Sequence, residues 1–411
     1  MIGGSRKMKN MIKRIPIVLL TATGLIIGLR CRSPYIPPAS STSVNYLHVE
    51  GVINTANDTT LITLSRTVKL SDSVNSTPEL HALVSVVGTD GSSYPLTETG
   101  NGNYIYPSFS FLSNSTKQYC LKIITSGGTI CQSDFLPVKN SPPIDSLYFQ
   151  PNATGIQIYS NTHDPTNNTR YYRWSFTETW IHESDYNSFY QAQTTPTDTI
   201  VPRPATNQIY TCWQSQNSSS IILNSSAKLS QDIISQNPVT SIGSLSPKFA
   251  VEYSILLYQY ALTSDGFNYW QNLETDTEQL GSIFDAQPSE LQGNIRCLSN
   301  PSLPVLGYVS IGAVTEKRLF IGGSQMPRAV GAQIPSPYAG ECQLDTLYYD
   351  DPKTQANDVS FLYQGTAIPI SGLVNLFTGK YYAYTASTTY CVDCRALGGT
   401  NQEPSYWVIK Y

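Results

Sequence analysis

Arg170-Tyr-Tyr-Arg-Trp-Ser-Phe-Thr-Glu-Thr-Trp180 alternates aromatic and polar side chains over a run with no Gly or Pro. Side chains along an extended strand point to opposite faces in turn, so a period of two marks a half-buried strand. Upstream, Gly155-Ile-Gln-Ile-Tyr159 has the same pattern, and the polar stretch Thr162-His-Asp-Pro-Thr-Asn-Asn168 lies between the two. The three segments predict a hairpin with one long arm. Downstream, Tyr253 to Leu262 predicts another strand, and Ser264 is placed to cap a helix from Asp265 to about Gln279. In that helix Phe267, Trp270 and Leu273 share a face, with Glu274 and Glu278 outside it. Further strands are expected at Val305 to Tyr308, Glu316 to Ile321 and Tyr381 to Thr385.

Toward the N-terminus the strand pattern shortens. Tyr46 to Ile53, Thr60 to Arg66, Ala82 to Val87 and Gln118 to Ile124 read as strands, with turns at Thr89-Asp-Gly-Ser92 and Ser126-Gly-Gly128. Several short strands in under a hundred residues fit an immunoglobulin-like β-sandwich. Asn140-Ser-Pro-Pro143 is its expected limit, because two prolines stop a strand. The expected fold is therefore mainly β: an immunoglobulin-like sandwich at 44–139, then a larger β-rich domain at 140–411 with at least one inserted helix.

Composition narrows the function. Charged residues are 13% of the 411, about half the usual share of roughly 25%, so Ser, Thr, Asn, Gln and Tyr must supply the polar surface. All six bases before Cys31 (Arg6, Lys7, Lys9, Lys13, Arg14 and Arg30) precede any acid, and without them 19 bases face 29 acids. Nucleic-acid binding needs a basic face, so that class is excluded as an expectation.

The same bases belong to a leader. Arg6 to Arg14 form a basic region, Ile15 to Leu29 is apolar, and Cys31 follows. This is the order of a secretory signal, and its apolar run is short for a spanning helix. Residues 1–30 read as a signal peptide and Cys31 as a lipidation site, with residues 31–43 a Pro/Ser-rich tether. Acylation of the thiol and of the amine freed by cleavage would anchor the chain firmly, since one acyl chain alone binds reversibly. Arg30 departs from the small residue usual before such a cysteine. The expected location is an outer membrane, with the leaflet face left open.

Lipidation of Cys31 leaves seven cysteines. In an oxidising compartment disulfides are expected, with one thiol left over. Cys120 and Cys131 stand on opposite arms of the turn at 126–128, which allows a cross-strand pair. Cys391 and Cys394, with Cys342, are the other disulfide candidates. The CxxC has no thioredoxin-like surroundings and no second CxxC to complete a zinc site. His48, His81, His163 and His182 form no close ligand pair, and no nucleophile elbow, phosphate loop or dinucleotide fingerprint is present. No metal, cofactor or catalytic residue is assigned, and the expectation is a protein that is not an enzyme.

Tyrosine is the informative excess, at 28 beside 12 Phe and 5 Trp. Its flat apolar face and hydroxyl edge suit sugars and peptides. The densest group, Tyr171, Tyr172, Trp174, Trp180, Tyr186 and Tyr190, is the candidate binding surface, with Tyr258 and Tyr260 as further candidates. Asp58-Thr-Thr, Asp72-Ser-Val, Asp145-Ser-Leu, Asp198-Thr-Ile and Asp345-Thr-Leu resemble a short O-glycosylation acceptor motif of Bacteroidota.

Taken together, several stretches resemble one family. They are Val49-Glu-Gly-Val-Ile53, Thr63-Leu-Ser-Arg66, Asn161-Thr-His-Asp-Pro165, Arg170-Tyr-Tyr-Arg-Trp174, Glu178-Thr-Trp180, Gly281-Ser-Ile-Phe-Asp285, Gln292-Gly-Asn294, Val305-Leu-Gly307, Cys391-Val-Asp-Cys-Arg395 and Gly398-Gly399. The chain resembles an uncharacterised family of Bacteroidota envelope lipoproteins of about 400 residues, catalogued as a domain of unknown function. The resemblance implies a neighbour of TonB-dependent transporters and supplies no active site. The expected function is an outer-membrane-anchored accessory that captures a glycan or peptide ligand, or docks on such a transporter. The alternatives are a structural or adhesive envelope module and an envelope hydrolase acting on glycan or peptide.

Overall fold

The computed structural model describes residues 45–69, 72, 76–278, 292–326, 334 and 342–407. The leader, Cys31 and the tether lie outside the described residues. The body from 46–67 and 73–411 is one compact unit. Of the other unit, Met1–Asn45 with Val68–Asp72, only Asn45, Val68, Lys69 and Asp72 are described.

The chain is mainly β. The first strands are β1 (Leu47–Asn54), β2 (Thr60–Thr67), β3 (Leu83–Gly88), β4 (Asn103–Tyr106), β5 (Gln118–Ile124) and β6 (Ile130–Ser133). One sheet holds β1, β2 and β4, and a second holds β3, β5 and β6. Alternation decides what lies between them: Leu47, Val49, Ile53, Ile62 and Leu64 from the first sheet meet Val84, Val86, Leu121 and Ile123 from the second. These sheets also take strands from far downstream. Antiparallel β13 (Ile295–Cys297) adds to β6, and parallel β14 (Val305–Leu306) and β15 (Ser310–Gly312) add to β1. The sandwich expected at 44–139 thus includes 295–312, whose Ile295, Val305, Val309 and Ile311 fill the same core. No local pattern at 140 announces a partner 150 residues away.

The central part runs β7 (Ile144–Pro151), β8 (Gly155–Asp164), β9 (Tyr171–Glu183), β10 (Thr211–Asn217), β11 (Asp232–Gly243), β12 (Glu252–Leu262), α1 (Ser264–Glu278) and β16 (Thr315–Gly322). Its sheets are β7-β8-β11 and β10-β9-β12-β16. The expected hairpin of β8 with β9 does not form, because the two strands lie in different sheets. Asp164 explains this. Its buried carboxylate accepts hydrogen bonds from the backbone N–H groups of Thr166, Asn168 and Thr169, each at 2.9 Å, and Asn167 adopts φ +59°. This corner carries the chain from one sheet to the other. Burial alone would raise the Asp164 carboxyl, but these bonds hold it below the usual aspartate value.

The core between these sheets is aromatic, with Tyr172, Trp174, Phe176, Tyr253 and Leu257 facing Ile156, Ile158, Ile234 and Ile242. Two of its ring polar groups are partnered: Trp174 Nε1 donates to Gln259 Oε1 at 2.9 Å, and the Tyr172 hydroxyl donates to Asp232. Helix α1 matches the expected span, but Thr263 is its cap, its Oγ1 accepting from Gly266 N at 3.1 Å. Ser264 is already the first helical residue.

The last strands, β17 (Asp345–Tyr348), β18 (Ile368–Val374) and β19 (Tyr381–Ser387), make a small sheet ordered β17-β19-β18.

Among the described residues three disulfides join distant segments: Cys131 to Cys297, Cys212 to Cys394 and Cys342 to Cys391. The expected Cys120–Cys131 pair is absent. Cys131 stands opposite Ile123, three positions from Cys120 and so on the other face of the strand. Cys120 is a buried free thiol, pushed up to about 11 by burial. The CxxC cysteines each bond elsewhere, because the extended Asp393 between them (φ −108°, ψ 105°) separates the helical turns that carry them.

A candidate ligand-binding cleft

The register of β9 with β12 places Arg173 opposite Tyr260, Ser175 opposite Tyr258 and Thr177 opposite Leu256. Tyr172, Trp174 and Phe176 are packed on the inner face, so their alternates look outward. That outer face does not pack directly on a second sheet. Instead Arg173, Ser175, Thr177, Tyr258 and Tyr260 form one wall of a cavity of about 1000 Å³. The opposite wall is β1 with its turn into β2, including His48, Glu50, Asn54 and Asp58, and α1 closes one side with Tyr269, Trp270 and Leu273.

Two glycines allow the β1 wall to be built. At Gly307, between β14 and β15, a Cβ would stand 2.0 Å from the Val49 carbonyl oxygen, and φ is +111°. At Gly51, φ is +140° and a Cβ would stand 2.4 Å from the Leu61 oxygen. Both line the cavity, and only glycine permits so close a backbone approach.

Arg173 is the centre of the wall. Its guanidinium carbon lies 4.2 Å from the ring centroids of both Tyr260 and Trp270, a double cation–π contact that joins sheet and helix. Its Nε is sealed from solvent without a hydrogen-bond partner. Burial pushes its guanidinium below the usual arginine value, partly offset by Tyr260 and the charge of Glu50. Around it the cavity offers neutral hydrogen-bonding groups. Ser175 Oγ and the Tyr260 hydroxyl are 3.1 Å apart, and Thr177 Oγ1 donates to Asn217 Oδ1 at 2.9 Å. Glu50, Asp58 and Glu316 outnumber Arg173, so the lining disfavours anions.

A second cavity of about 560 Å³ lies across α1, lined by Asp134, Asp265, Asn268 and Asn294. Tyr269 and Tyr308 line both cavities and form the partition. Their rings are 5.2 Å apart, and Tyr308 is tied to Thr263 at 3.3 Å between hydroxyls. Among the described residues no group of His, Cys, Asp and Glu is arranged to hold a metal ion.

None of the six aromatics chosen from sequence lines the cleft. Tyr172 and Trp174 are fully buried, and Trp180 packs inside beneath Lys248, 4.9 Å from its ring. Tyr171 packs against Phe267, the tilted rings 5.2 Å apart. Tyr186 donates to the Cys342 carbonyl at 3.2 Å, and Tyr190 belongs to a separate cluster with Tyr381 and Tyr384. The further candidates Tyr258 and Tyr260 do face it. Arg173 and Trp270 escaped notice as site residues. The signal was the alternation itself: the polar partners of buried aromatics are the ones left for a ligand. Of the histidines, His182 Nε2 meets the Cys394 carbonyl at 2.9 Å in the interior, and His163 pairs with Asp145 at 2.8 Å on the surface.

The model of a family described as a domain of unknown function, DUF4249, matches residues 32–318. No curated protein matches. Among solved structures, one described as manganese lipoxygenase of Gaeumannomyces graminis with partial zonadhesin of Komagataella pastoris is similar at 9% identity, over 55% of this chain and 91% of that one, with a TM-score of 0.14. The BSP domain of a biofilm-associated protein is similar at 7% identity, over 70% of this chain and 62% of that one, with a TM-score of 0.16. Scores this low carry no argument about fold or activity.

Proposed function

We propose that this chain, which belongs to the DUF4249 family, is an outer-membrane lipoprotein anchored through acylated Cys31 that captures a neutral polar ligand for a TonB-dependent transporter. One observation carries the capture reading: a sheet face bearing Tyr258, Tyr260, Ser175 and Thr177 opens onto about 1000 Å³ of space instead of packing. Stacking and hydrogen bonding supply the affinity, because the lining carboxylates repel anions. A short oligosaccharide, with apolar ring faces and hydroxyl edges, fits that combination. The protein holds its ligand and releases it unchanged.

The anchor and the capture separate experimentally. Labelling cells with a radioactive fatty acid should mark the wild type and leave Cys31→Ser unmarked and mislocalised; equal fractionation of the two would remove the anchor. Purification from native membranes should bring down a TonB-dependent transporter, and its absence would remove the docking role.

Glu50, Asp58 and Glu316 in the same cavity support a second reading, a glycan hydrolase working through two carboxylates. Recovery of intact ligand from the cleft argues for capture; recovery of cleaved fragments, abolished in Glu50→Gln or Glu316→Gln, argues for hydrolysis.

A further inference from the structure

The turn between β18 and β19 presents Leu376 at 93% exposure and Phe377 at 100%. Large apolar side chains so placed are normally turned inward or trimmed by selection for solubility. This turn is built to hold them out. Asn375 N donates to the Lys380 carbonyl at 2.9 Å, and Gly379 N to the Asn375 carbonyl at 2.8 Å. The Asn375 side-chain oxygen accepts from the backbone of Phe377 and Thr378 at 3.0 and 3.1 Å. Gly379 closes the loop at φ +67°, where a side chain would be strained. Little conformational freedom is left for binding to remove.

The surroundings identify the occupant. Behind the tip the hairpin exposes Val374, Tyr381 and Tyr382, and the ring of Tyr348 lies 6.3 Å from that of Tyr382. Between Asp358 and Asp393 there is no acidic residue, and the sole charge is Lys380 beside the tip. An apolar apex, a lysine at its base and tyrosines behind it reproduce the order of a bilayer interface from acyl chains to headgroups. The neighbouring strand brings Asp350 in behind the tip, next to Tyr349, whose N–H donates to the Tyr382 carbonyl at 3.1 Å, so the charge that the hairpin itself offers to a headgroup layer is Lys380.

We infer that the hairpin tip Leu376-Phe377 is a membrane-contact device that inserts into a phospholipid surface and sets the orientation of the body on it. It stands independently of the cleft and of the Cys31 anchor, neither of which shares a residue with it.

The test replaces Phe377 in the full chain with the photo-crosslinking analogue p-benzoylphenylalanine and irradiates envelope membranes. The same analogue at exposed Leu83 measures background. Phospholipid adducts at position 377, several-fold above those at 83, support the inference. A protein adduct at 377 assigns the tip to a partner's socket and overturns it, as does a yield equal to that at 83. In vesicles of phosphatidylethanolamine and phosphatidylglycerol, Lys380→Glu should lower the lipid adduct several-fold; an unchanged yield would overturn the headgroup arrangement.

Discussion

The two faces of the β9–β12 pair come from the same residues of sequence and have opposite fates. The inner face, Tyr172, Trp174, Phe176 and Leu257, is buried against a second sheet. The outer face, Arg173, Ser175, Thr177, Tyr258 and Tyr260, looks across a cavity at β1 instead of packing on it. Aromatic size draws a residue inward wherever a partner sheet exists. What remains outside is polar or only half apolar, which is the composition a polar ligand requires. The cavity-facing side of such a strand is therefore read from the residues between its largest ones.

Substitutions should divide along the same line. Trp174→Ala empties a fully buried site and breaks the bond to Gln259, and should cost roughly 3–5 kcal/mol in urea unfolding. Tyr258→Ala, one face away, should cost well under that; equal losses would erase the distinction between faces. Removing the Cys131–Cys297 bond by Cys297→Ser reopens a loop of 166 residues and should cost roughly 2–5 kcal/mol. The effect should appear in unfolding and leave cleft binding intact, because that disulfide serves the first sandwich.

Asp164 tests the corner that separates β8 from β9. Its carboxyl is held below its ordinary value near 3.8, so its contribution is present above that pH and lost as pH falls through the lower folded value. Asp164→Ala should cost roughly 1–3 kcal/mol at neutral pH and flatten the acid limb of the stability curve. An unchanged acid limb would refute the role given to this carboxylate. The smallest effect on folding belongs to Arg173→Gln. Loss of two cation–π contacts should cost roughly 1–2 kcal/mol and loosen α1 against the sheet, seen as faster hydrogen exchange at Trp270 and its neighbours. Slow exchange in the variant would show that the arginine does not hold the helix.

Much of this was legible in advance. The strands at Gln118 to Ile124 and Tyr253 to Leu262 and the helix near 264–278 follow from periodicity and capping, which are local. The union of 295–312 with the first sheets was not legible, because strand pairing over 150 residues leaves no trace in either segment. Nor was the disulfide pattern, since register decides whether two cysteines share a face. The tyrosine-rich stretch is the strand its alternation predicts, and its tyrosines and tryptophans lie away from the cleft. Density of aromatics marks a core when the alternation is strict, and Arg173, a charge inside that alternation, was the better pointer.

The most direct test of the cleft is native mass spectrometry of the protein released gently from its own membranes, wild type beside Tyr258→Ala and Trp270→Ala. The account predicts a bound small molecule, uncharged and rich in hydroxyls, on the wild type and its loss from both folded variants. A wild type with no added mass, or variants that retain the same one, would contradict it.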